Sequence, residues 1–295
     1  MALGVLALQT VPAGAQPATP PLPATPTLPA ALTTDPPRDP LHPARLAQIR
    51  FTTHGLAVPA RLFVAAGAGT HPTILLLHGF PGTELNLDLA RVLQRDGWNV
   101  LAIHYRGVWG APGQFSLTHV VEDAQSALAW LRSPAAAPYG IDAGRIVLLG
   151  HSMGGFATVM LGADKGVAGY VLISAADMVA DTLKAAAEPS ERASYADDAS
   201  YTNASFDSLA ADVRAHARAW DWTTRAALMA GRPVLVLTSD DGLAPSDDAA
   251  AAAVAQAGGP APTVEHMTTD HSYNDHRIAL AATIVRWLDA HFPKR

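Results

Sequence analysis

A serine fenced by glycines, Gly150-His151-Ser152-Met153-Gly154, stands between an apolar run, Ile146 to Leu149, and a segment with helical spacing that continues through Leu161. A strand that turns at once into a helix crowds the positions two residues either side of the turn, and both are glycine here. Such a turn pushes the Ser152 hydroxyl into the space beyond the strand's carboxyl end. The helix that follows aims its first amides, and the positive end of its dipole, at negative charge forming there. The chemistry this suits is nucleophilic attack with an oxyanion to be stabilised. A serine hydroxyl is a weak nucleophile alone, so a histidine must take its proton and a carboxylate must orient that histidine.

Later segments carry those residue types. Thr238-Ser239-Asp240-Asp241-Gly242-Leu243-Ala244-Pro245 follows the apolar run Val234 to Leu237. Thr268-Thr269-Asp270-His271-Ser272-Tyr273-Asn274-Asp275-His276 follows Thr263 to Met267. Asp240 and Asp241 both stand in the first segment, His271 and His276 in the second, and Asp177 follows another apolar run, Tyr170 to Ile173.

The elements that must position these residues alternate along the chain. Residues 46–53 and 56–64 read as an antiparallel hairpin joined at His54-Gly55. Strand-like runs at 73–77, 98–103, 146–149, 170–173, 233–237 and 263–267 then alternate with helical patterns at 84–96, 120–131, after Ser152, 249–257 and 275–292. Continuous apolar strands separated by helices mean a mostly parallel sheet covered on both faces, an α/β fold. The rhythm stops at residues 175–229, which are Ala-rich, charged and without a strand candidate. A helical insertion over the strand ends, forming a small lid, is expected there.

From about residue 46 onward the chain resembles the α/β-hydrolase superfamily, in its serine esterase and prolyl-oligopeptidase-like branches. His78-Gly79-Phe80-Pro81-Gly82, the Gly150–Gly154 elbow, the acid turn ending in Pro245 and the His271 loop carry the resemblance, with HisTyrArgGlyValTrpGlyAlaProGlyGlnPhe at 104–115. The resemblance implies Ser152 as nucleophile, His271 as base and Asp241 as acid, because the family turn carries a proline four residues after the acid. Asp240 and, more remotely, Asp177 remain alternatives for the acid, and His276 for the base. It also implies an oxyanion hole made by the backbone N–H groups of Phe80 and Met153. The implied activity is cleavage of an acyl ester through an acyl-enzyme, with a short peptide or amide as second substrate class and no cofactor. A hydrolase-like binding protein without chemistry is the reading from another class.

Composition bounds the rest. The chain of 295 residues is 49% apolar with formal net charge −6 and no cysteine. Disulfides, thiolate metal sites and a Cys nucleophile are excluded. No basic run points to nucleic acid, and the twelve histidines show no metal-ligand spacing such as HExxH. Residues 1–15, apolar from Met1 to Val11 and ending in Ala13-Gly14-Ala15, read as a signal peptide for export, too short to span a membrane. Residues 16–45 read as a Pro/Ala-rich extended linker and 46–295 as the α/β-hydrolase domain.

Overall fold

The computed structural model describes residues 27–293; the expected signal peptide lies outside them. One eight-stranded sheet organises the described chain, in the order β1-β2-β4-β3-β5-β6-β7-β8. Its strands are β1 (Arg45–Thr53), β2 (Leu56–Val64), β3 (His71–Leu77), β4 (Asn99–Ile103), β5 (Ile141–His151), β6 (Val167–Ile173), β7 (Val234–Thr238) and β8 (Thr263–His266). The β1–β2 hairpin pairs antiparallel and joins β4 antiparallel; the pairs from β4 to β8 are all parallel. The sheet is mostly parallel and flanked by helices, the α/β architecture the alternating pattern calls for.

Ten α-helices accompany it among the described residues: α1 (Ala30–Thr33), α2 (Leu87–Arg95), α3 (Leu117–Leu131), α4 (Met153–Met160), α5 (Met178–Ala187), α6 (Pro189–Ala199), α7 (Phe206–His216), α8 (Trp222–Ala227), α9 (Ala244–Gln256) and α10 (Arg277–His291). Side chains of a strand alternate between faces, so one apolar run feeds two cores. Ile74 and Leu76 of β3 join α2 and α10 through Leu89, Leu93, Leu280 and Ile284. Leu75 and Leu77 join α3, α4 and α9 on the other face. This is why the parallel strands read as unbroken apolar runs rather than alternating ones.

Three local outcomes differ from the sequence reading. The expected linker is not extended throughout: α1 packs Leu32 against the α2–α10 core, and the Ala31 carbonyl accepts Arg95 Nε at 2.7 Å. Helix α9 starts at Ala244 rather than Ala249, with Pro245 in its first turn where a missing N–H costs nothing. Strand β5 reaches back to Ile141, because Ile141 pairs with His71 across a register shift at residues 142–145. Between β6 and β7 the chain forms α5 to α8 and no strand.

Candidate active site

The carboxyl ends of β3, β5, β7 and β8 bring four segments together, the place where parallel sheets collect their ligands. A single residue separates β5 from α4, and that residue is Ser152. It takes φ 55° and ψ −120°. A side chain held at positive φ is strained and persists only where neighbours fix it. Here the Ser152 amide donates to Ile173 O at 3.0 Å, and its carbonyl accepts the Gly155 and Ala176 amides at 2.8 and 3.1 Å. The two glycines are enforced by contact: a Cβ on Gly150 would lie 2.1 Å from Gly154 O, and one on Gly154 would lie 2.0 Å from Leu77 O.

Beyond β7 the two aspartates separate. Asp241 is almost fully buried, and His271 Nδ1–H donates to its Oδ2 at 2.7 Å. Its Oδ1 accepts the Leu243 amide at 2.9 Å. Burial alone would raise this carboxyl, but the bonds from His271 and Leu243, with the Ser174 hydroxyl close by, hold it well below the usual carboxylate range. Asp240 is exposed and meets His266 Nε2 at 3.1 Å instead. In the neutral tautomer that this contact selects, Nδ1–H faces Asp241 and the other ring nitrogen of His271 is the acceptor.

The remaining candidates go elsewhere. His276 stands at the N-cap position of α10, where its ring pairs with Asp275 at 2.9 Å rather than capping the helix. Asp177 caps α5 by accepting the Val179 and Ala180 amides, each at 3.1 Å. Arg106 and Asp123 form a buried ion pair at 2.6 Å behind the site. Tyr105 and Phe115 are core residues, while Trp109 is exposed against Tyr201; none of the three lines the cavity at Ser152.

That cavity has a volume of about 280 Å³ and is lined by Ser152, Asp241 and His271 together with Phe80, Met178, Asp181, Tyr195 and Asp198. Ser152 and His271 share it without a hydrogen bond between them among the described residues. Phe80 enters from the loop after β3, and a Cβ on neighbouring Gly79 would lie 2.9 Å from Ser152 Cβ, so the loop passes directly over the serine. Neither the Phe80 nor the Met153 amide donates to a turn, loop or cap acceptor among the described residues.

Sequence reasoning left two supporting groups without a specific role. His151, next to the serine, is buried, and its Nε2–H donates to the His271 carbonyl at 2.9 Å. Burial, then the neighbouring His271, push it down to about 3, so it stays neutral. Asp247 on α9 is buried and accepts the Ala175 amide at 3.0 Å, one residue from the Ala176 amide that bonds Ser152. Burial pushes this carboxyl up to about 8.

The profile of the Alpha/beta hydrolase family matches residues 74–283. The chain belongs to the alpha/beta hydrolase family. The match takes in the Phe80 loop, the elbow, the acid turn and the His271 loop. Among solved structures, this alpha/beta hydrolase is similar to a Pyrobaculum calidifontis esterase, with 18% identity, TM-score 0.64 and coverage of 85% of this chain and 87% of that one. A carboxylesterase cloned from a metagenomic library shows 20% identity and TM-score 0.55 over 83% of this chain and 90% of that one. A Pyrococcus horikoshii acylaminoacyl peptidase shows 14% identity and TM-score 0.64 over 83% of this chain but 41% of its own. These likenesses are of fold. No curated protein sequence matches this hydrolase significantly. Among the described residues no helix is long and apolar enough to cross a membrane.

Proposed function

We propose that this alpha/beta hydrolase is a serine esterase that cleaves an acyl ester through an acyl-enzyme. Ser152 Oγ attacks the acyl carbon while the unprotonated nitrogen of His271 takes its proton, and Asp241 stabilises the imidazolium that results. The Phe80 and Met153 amides receive the oxyanion, each donor contributing about 3 kcal/mol to the transition state. The imidazolium then protonates the departing alcohol, and a water deprotonated by His271 releases the acid from Ser152. A serine–histidine contact that closes only with substrate bound fits this account, since catalytic hydrogen bonds tighten in the Michaelis complex.

The observation that carries the reading is the 2.7 Å His271–Asp241 contact opening into the same cavity as the strained Ser152. Helices α5 and α6 supply Met178, Asp181, Tyr195 and Asp198 to that cavity, which supports residues 175–229 as a lid. We further place residues 1–15 as the export signal. The test is turnover of p-nitrophenyl esters of graded chain length beside aminoacyl-nitroanilides. Hydrolysis of the esters that is lost in Ser152→Ala supports the reading. Equal activity of the variant removes Ser152 from the mechanism, and turnover of the anilides alone would move the activity to amides.

A further inference from the structure

The catalytic cavity contains charge that acyl transfer does not use. Asp181 of α5 and Asp198 of α6 line it beside Ser152 and His271. Neither carboxylate accepts a hydrogen bond from a cationic side chain among the described residues. The cations of the same helices are engaged elsewhere: Lys184 Nζ lies 3.2 Å from Glu191, and Arg192 lies 2.7 Å from Asp207. Lys184 is close enough to favour the charged form of Asp181, but Asp177, Glu191 and Asp241 oppose it. Of the other ionisable groups on the cavity wall, Asp241 and His271 are bonded to each other.

A second observation points into the same space. Ser152 is 8% exposed, yet its hydroxyl opens into the cavity with no hydrogen-bond partner among the described residues. The Phe80 and Tyr195 rings pack together at 5.2 Å and give the same cavity wall its apolar surface. Burial first, and then the Asp177 charge, push Asp181 up to about 6, so its carboxylate is held in this cavity at a cost. A cation bound there removes that penalty. The net charge of −6 adds a long-range field of the same preference.

We infer that the substrate carries a positively charged nitrogen, seated against Asp181 and Asp198 while its ester carbonyl lies at Ser152. The inference rests on the serine esterase reading and names its substrate class: a cationic ester, with the charge on the acyl or the alcohol side. Charge-assisted bonds to two half-buried carboxylates set the expected discrimination at about tenfold or more in kcat/KM.

The experiment pairs each cationic ester with a neutral isostere. One arm uses p-nitrophenyl esters of ω-amino acids of graded length against p-nitrophenyl alkanoates with a methyl in place of the ammonium. The other uses alkanoate esters of ω-ammonium alcohols against those of alkanols, followed by acid release. The wild type is expected to prefer the cationic member in one arm by about tenfold or more. The double variant Asp181→Asn/Asp198→Asn should bring that ratio close to one. Alkylammonium ions should inhibit the wild type competitively, better than the matching alcohols; this needs no variant and stands even where the double variant fails to fold. Parity between the pairs in both arms, or a preference that survives in the folded double variant, overturns the inference while neutral-ester turnover leaves the esterase reading intact. Absence of all ester turnover, with no covalent labelling of Ser152 by a fluorophosphonate, sinks the esterase reading and this inference with it.

Discussion

At Ser152, the proposed nucleophile, the backbone sets the geometry before any side chain does. A residue at φ 55° is pinned by Ile173, Gly155 and Ala176, so its hydroxyl is aimed by main-chain bonds that a side-chain change leaves alone. Ser152→Ala should therefore fold with an unchanged melting temperature and lose ester turnover; a few per cent of retained activity would count against the nucleophile. The acid gives a sharper comparison. Asp241→Asn is expected to lower kcat by about 10³ to 10⁴-fold, because the amide cannot stabilise the imidazolium or fix its tautomer. Asp240→Asn, whose carboxylate faces His266, should stay within a few-fold of wild type. The reverse ranking in steady-state kinetics would move the acid by one residue. The sequence alone left these neighbours open, because a turn sends adjacent side chains in opposite directions and no spacing rule records which one faces the histidine.

At the scale of elements, the close packing of the elbow and the burial of α9 both make measurable demands. Gly154→Ala places a methyl 2.0 Å from the Leu77 carbonyl, so β3 and α4 must separate. A loss of about 1–3 kcal/mol or more, the range of overpacked cores, is expected in denaturant melts. Asp247 gives a pH-dependent case. Its carboxyl ionises near 3.8 when unfolded and about 8 when folded. The native state therefore holds the extra proton between those values, and stability falls as pH rises through that window. Asp247→Asn removes the titration, so its stability relative to wild type should grow steadily from about pH 4 to about pH 8, measured by urea unfolding. A constant difference would mean that Asp247 does not hold its proton. Strand and helix order was legible because apolar period and breakers alternate strongly. The early start of α9 was not, since Ser246-Asp247-Asp248 reads as exposed polar chain and only the fold shows Asp247 buried under Ala175.

Across the whole molecule, the α/β body was readable because its strands need continuous apolar runs to bury both faces. The insertion was readable only as helical. Its Ala-rich, charged helices have no strong apolar stripe to say which side faces the cavity, so Asp181, Tyr195 and Asp198 could not be picked out beforehand. Removing α6 would take away Tyr195 and Asp198 and open the cavity to solvent. Discrimination among acyl chain lengths should then weaken, seen as a flatter profile of kcat/KM against chain length. An unchanged profile would mean that the insertion does not shape the acyl site. The proposed export signal makes a separate prediction: N-terminal sequencing of the exported fraction should find a chain that begins just after Ala15, and one that still begins at Met1 would remove the signal.

The central claim is that Ser152 forms a covalent acyl-enzyme, activated by His271 and Asp241. The most direct measurement is reaction of the folded protein with a fluorophosphonate, followed by intact mass and peptide mapping. One adduct is expected, on the peptide containing Ser152, absent from Ser152→Ala and formed far more slowly in His271→Ala and Asp241→Asn. A folded wild-type protein that takes up no label, or carries it on another residue, would contradict the account.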